Sequence, residues 1–148
     1  VIDRIGGFDT GLRTGEDYDF FIRAAQHCRF ICVDAVVARY RQHPTSITRR
    51  PQPNNNEYTV VRRAIDQRGT TGPDGRQLDP RLLAQRLQRM CFDHALLHLR
   101  QGDPAIAARG FRAAIAHHPW RLKSWLFAAL ATVKATLRPA PDMLARRP

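Results

Sequence analysis

The spacing of apolar residues along this chain changes from helical to alternating and back to helical. Residues 1–15, broken by Gly6, Gly7, Gly11 and Gly15, predict loop and turn. From Glu16 onward, Phe20, Phe21, Ala24, Ala25 and Cys28 recur with a helical period and line one stripe, which predicts a helix. Residues 30–33 and 36–40 are short runs rich in β-branched and aromatic side chains and predict strands. In the second run Val36, Ala38 and Tyr40 alternate with Val37 and Arg39. His43-Pro44 ends it, because proline cannot continue a ladder of hydrogen bonds.

Residues 49–57, Arg-Arg-Pro-Gln-Pro-Asn-Asn-Asn-Glu, predict a linker. Helical spacing resumes at 58–68, with Val61 and Ile65 on one face and Gly69 as a stop. Gly72-Pro73-Asp74-Gly75 is a turn signal, and Pro80 opens a long helix at the one helical position that tolerates proline. Leu83, Leu87, Met90, His94 and Leu97 form its expected core stripe. Gly102-Asp103-Pro104 separates it from a second helix, and a third is expected over 120–137. The run Gly102-Asp103, Ala107, Phe111, Ala114 and Pro119 resembles the second half of a tetratricopeptide-like hairpin, in which small residues let two helices approach and Phe111 fills the gap. One such unit is fewer than the three or so that a repeat array needs, so it reads as an appended helical element. Residues 139–148 read as a frayed basic tail.

Charge sharpens the division. The 148 residues carry a formal net charge of +11. Residues 1–48 hold six Arg against six acids, so the whole excess lies in residues 49–148, with eighteen Lys plus Arg against seven acids. A basic half suits a solvated surface, an anionic membrane or a nucleic acid. Phe92, Phe111, Trp120, Trp125 and Phe127 fall at helix-core spacing rather than as a stacking platform, so no nucleic acid is expected. Three cysteines, Cys28, Cys32 and Cys91, lack a disulfide or zinc spacing and read as core hydrophobes in a reducing compartment. The expected location is cytoplasmic, with peripheral attachment to the inner face of the membrane as its extension. The apolar stretch 125–133 is far shorter than the roughly 20 residues that span a bilayer.

The chemistry-bearing residues sit in the neutral third. Asp9, Glu16, Asp17 and Asp19 crowd into eleven residues of a basic protein. Neighbouring carboxylates repel, and partial burial then raises the pKa of at least one, which is how a general base is tuned. The other reading is a helix start whose first-turn acids suit the helix dipole. His94 and His98 stand one turn apart, but no carboxylate accompanies them, and a packed pair outweighs a zinc site.

The order Gly6-Gly7-Phe8-Asp9, Gly15-Glu16-Asp17-Tyr18-Asp19-Phe20, Arg23-Ala24 and Tyr40-Arg41-Gln42-His43 resembles the C-terminal part of a family 2 glycosyltransferase. The likeness spans residues 1–48, about a third of the chain. It implies an α/β fold, the C-terminal fragment of a GT-A nucleotide-sugar transferase domain, followed by an all-α extension over 58–138. It further implies an inverting transfer of sugar from a nucleotide-diphosphate donor to a hydroxyl or lipid-linked acceptor. Asp17 would be the catalytic base, Glu16, Gly7 and Phe8 would contact substrate, and His43 would touch the metal or the diphosphate. A divalent metal, Mg or Mn, would be the cofactor, its main ligands in a nucleotide-binding half with a D-x-D motif that these residues do not contain. The chain is accordingly expected to be the tail of a longer enzyme, unable by itself to bind a sugar nucleotide. The alternative is a non-catalytic helical module that docks acidic partners through its arginines.

Overall fold

The computed structural model describes residues 2–41, 43 and 46–137. Six α-helices follow one another: α1 (Ile2–Ile5), α2 (Glu16–Ala24), α3 (Asn56–Arg68), α4 (Pro80–Gln101), α5 (Pro104–His117) and α6 (Leu122–Leu137), with a 3-10 turn at Ile47–Arg49. Among the described residues there is no strand; one isolated bridge pairs Thr71 with Gln77 across the Gly72–Gly75 turn.

This overturns the α/β expectation of a GT-A fragment. The runs 30–33 and 36–40 are irregular, and Ile31, Val36 and Val37 are 88%, 91% and 78% exposed. The preference of β-branched residues for strands reflects packing against a neighbouring strand and a covered face. Among the described residues no strand lies beside them, so the propensity has nothing to act on. The helical extension, by contrast, forms as a set of helices over the expected region.

Local chemistry explains where those helices begin. Asp79 and Asp103 each accept backbone N–H groups of the following turn, and Pro80 and Pro104 occupy the first helical position, where no N–H is needed. Asn55 caps α3, accepting from the Tyr58 N–H at 3.3 Å. The core lies where α5 packs between α4 and α6. Phe92 of α4, Phe111 of α5 and Phe127 of α6 meet with ring centroids 5.1 to 5.6 Å apart, and Phe111 is fully buried. Ala95, Ala107, Ala108, Ala114, Ala128 and Ala131 are buried around them and keep the helices close. The nearest approach is at Gly110, where a Cβ would fall 2.8 Å from that of Ala95.

The observed stripe of α4 is rotated from the expected one. Leu87, Met90, Cys91, Phe92, Ala95, His98 and Leu99 are buried, whereas Leu83, His94 and Leu97 are half-buried. The reason is that α4 serves two sides. One face meets α5 and α6, and the other receives α3 and the segment before it. That segment, read as a linker, is tied down. Gln101 donates to the Arg49 carbonyl at 2.7 Å, and Asn55 donates to that of Met90 at 3.0 Å. The basic tail 139–148 lies outside the described residues.

Candidate functional site

The acidic run is held by an arginine staple. Arg23, near the end of α2, donates to the carbonyls of Ile5 and Gly7 and bonds Asp19 at 2.8 Å. The turn Ile5–Gly7 is thereby fixed to the same helix that carries Glu16 and Asp17. Phe8 stacks on Phe20, with centroids 4.7 Å apart, and Gly6 takes a φ of +73° that favours glycine.

Gly15 performs the second placement. Its φ of +79° turns the chain into α2, and a Cβ there would lie 3.1 Å from the backbone nitrogen of Glu57. The start of α2 thus presses directly on the start of α3. Asn56 Nδ2 adds a bond to Thr14 Oγ1 at 3.4 Å. Two helix N-termini, each a locus of partial positive charge, therefore meet at one point.

The point of meeting is a cleft of about 360 Å³ between α2, α3 and α4. Glu16, Asp17 and Glu57 line it together with Arg13, Arg86 and Arg89. Asp17 Oδ1 accepts the N–H of Tyr18 at 2.8 Å, and Oδ2 has no hydrogen bond from the protein among the described residues. Glu57 is the carboxyl whose pKa moves. Burial raises it first, the charge of Asp17 raises it further, and Arg86 pulls it back down. Arg86 also ties α4 to α2, donating to the Tyr18 hydroxyl at 2.5 Å with its guanidinium over the Tyr18 ring.

The wall of the cleft contains an unusual histidine arrangement. His94 and His98 both donate Nε2–H to the carbonyl of Gln52, each at 2.8 Å. His98 Nδ1 accepts the Asp103 N–H at 3.2 Å. The pair is thus a clamp on the 49–55 segment and not a metal site. Burial lowers the pKa of His94; the bond to Gln52 opposes that shift and His98 adds to it.

The expected site residues separate into two groups. Asp17 and Glu16 are brought together at the cleft. Gly7 and Phe8 do not line it; they form the stapled turn on the other side of α2. His43 is exposed and likewise does not line it. Among the described residues, no three His, Cys, Asp or Glu side chains converge on a position that would hold a metal ion. The cleft's donor set, carboxylates interleaved with guanidiniums, does not fit a divalent cation either.

Glu57, Arg86 and Arg89 were missed in the sequence. Glu57 follows three asparagines in a segment that reads as linker, although Asn55 with an acid two residues on is a helix-start signal. Arg86 and Arg89 carry no local mark among so many arginines, and only the fold sets them beside Asp17.

No family model, curated protein or solved structure matches the chain. Its chemistry rests on its own residues. No helix among the described residues is long and apolar enough to cross a membrane.

Proposed function

We propose that this chain supplies the acceptor-activating site of an inverting nucleotide-sugar transferase, with Asp17 as the general base. The observation that supports this reading is the cleft itself, in which Asp17 stands beside Glu16 and Glu57 under the guanidiniums of Arg13, Arg86 and Arg89. The acceptor hydroxyl gives its proton to Asp17 Oδ2 as its oxygen attacks the anomeric carbon. The bond from that carbon to the diphosphate oxygen breaks, and the diphosphate leaves with the electron pair. Arg86 and Arg89 are placed to favour the anionic leaving group over a neutral one. The charges of Glu57 and Asp17 act on each other across the cleft, and burial and Asp17 both raise the Glu57 pKa. Any divalent metal that assists departure would take its ligands from outside the residues described here.

The test is the anomeric configuration of the product, read by NMR, when the longest protein carrying this chain is assayed with a panel of nucleotide-diphosphate sugars. A single displacement inverts the configuration. Retention would contradict a base at Asp17 acting on the acceptor.

A second reading is favoured by α6. Its outer side leaves Leu122, Leu126, Leu130, Val133 and Leu137 exposed, and Trp120, just before it, is 87% exposed. With the +11 charge in residues 49–148, this is the composition of a helix that lies on an anionic membrane surface. Such attachment is compatible with a cytoplasmic transferase that acts at the inner face on a lipid-linked acceptor.

A further inference from the structure

A second cleft, of about 430 Å³, shares Arg86 and Arg89 with the Asp17 cleft and is not lined by Asp17. Leu82, Gln85, Arg86 and Arg89 recur at three- and four-residue spacing along one face of α4, and His118 and Arg121 face them from the turn between α5 and α6. No Asp or Glu lines it among the described residues. The nearest acid is Asp93, which meets Arg89 at 3.4 Å from outside the cleft.

The arrangement is built. Arg121 Nη1 donates to Gln88 Oε1 at 2.7 Å, and Gln88 Nε2 donates to Ser124 Oγ at 3.2 Å. Gln88 is 1% and Ser124 0% exposed, so a buried polar network orients this guanidinium while leaving other donors of its fork unused. Arg86 is oriented by a single exposed bond to the Tyr18 hydroxyl. His118 Nδ1 is buried and has no hydrogen-bond partner. Three guanidiniums converge on this cleft, and the acids near Arg86 and Arg89 lie on its outside, so the cleft itself carries positive potential. A bound anion with several acceptor oxygens neutralises that potential.

We infer that the cleft of Arg86, Arg89, Arg121 and His118 binds a phosphate or diphosphate group. Planar forks that approach from two sides suit tetrahedral phosphate oxygens, which accept paired N–H bonds. The inference goes beyond the sugar-transfer reading and does not require it, since Arg121 and His118 take no part in the Asp17 cleft. The phosphate could be carried by a soluble molecule or by a lipid headgroup; the chemistry that recognises it is the same.

The test is calorimetric titration of the 148-residue chain with inorganic pyrophosphate at low and moderate salt. Saturable binding is expected, weakened about tenfold by Arg121→Gln and by Arg89→Gln, the scale of one lost charge-assisted contact. Arg76→Gln, a cation in the Gly72–Gly75 turn, should leave the affinity unchanged. Circular dichroism establishes that each variant is folded, and Arg121→Lys, which keeps the charge and loses the planar fork, serves if Arg121→Gln disturbs the Gln88 network. A parallel arm uses phosphatidylcholine vesicles with and without phosphatidic acid. Phosphatidic-acid binding displaced by pyrophosphate assigns a lipid-borne group, and pyrophosphate binding without vesicle binding assigns a soluble one. No saturable pyrophosphate binding, equal loss in Arg76→Gln, or unchanged affinity in Arg121→Gln overturns the site; loss in Arg89→Gln alone assigns the bound group to the Asp17 cleft, which Arg89 also lines.

Discussion

Gly15 carries more of the site's geometry than any other single residue. Its φ of +79° disfavours side chains, and a Cβ there would meet the Glu57 backbone nitrogen at 3.1 Å, tighter than an ordinary contact. Gly15→Ala should therefore destabilise the fold by about 1–3 kcal/mol, the range for strain at a left-handed position. Chemical denaturation measures the loss, and an unchanged midpoint would show that α2 and α3 are not pressed together here. His94 gives a prediction in pH. Burial holds its pKa below the ordinary value of 6.5, against the opposing bond to Gln52, and burial with Arg62 lowers that of His117 too. A group with a depressed folded-state pKa contributes stability above its unfolded value and loses it as pH falls through the folded one. For these neutral histidines, melting temperature should fall as pH drops from about 7 toward 5. The slope should be shallower in His94→Gln. An identical pH profile in that variant would remove His94 from the clamp's energetics.

At the scale of elements, legibility followed how far each element depends on its own residues. Asp79-Pro80 and Asp103-Pro104 announced α4 and α5, because cap and first-turn chemistry is local. The burial of Phe111 with Ala107 and Ala114 was legible for the same reason: helical spacing carries it. Residues 30–40 were not, since a strand is a relation to a partner and β-branched composition alone does not supply one. The rotated stripe of α4 was hidden because Gln88 and His98 are polar but buried, satisfied by Ser124, Arg121, Gln52 and Asp103. Phe111→Ala should cost about 3–5 kcal/mol, much of the 5–15 that a domain has to lose. Loss of the cooperative helical melt would register it, and a near-native melt would mean the three-ring cluster is not the core. For α6, Leu126→Glu with Leu130→Glu should weaken binding to anionic vesicles while leaving helix content unchanged. Vesicle binding that survives the pair would place the contact elsewhere.

The whole molecule joins a helical core to a net-neutral first third through the strap 49–55, the contact of α2 with α3 at Gly15 and Glu57, and Arg86. Residues 49–55 are pinned by His94, His98 and Gln101, and Arg86 bonds Tyr18 beside the catalytic candidate. That Asp17 and Glu16 lie together at one cleft was legible because they are adjacent in sequence. Glu57, Arg86 and Arg89 were not, because forty to seventy or so residues of chain separate them from Asp17 and only folding brings them near. This union sets residues of the helical extension in the same cleft as Asp17. It also makes the central claim simple to test. In the longest protein that carries this chain, Asp17→Asn should lower transfer by about 10²–10⁴-fold while donor affinity stays close to wild type, because the amide keeps the shape and cannot take the acceptor's proton. Turnover equal to wild type in the Asn variant would contradict the account.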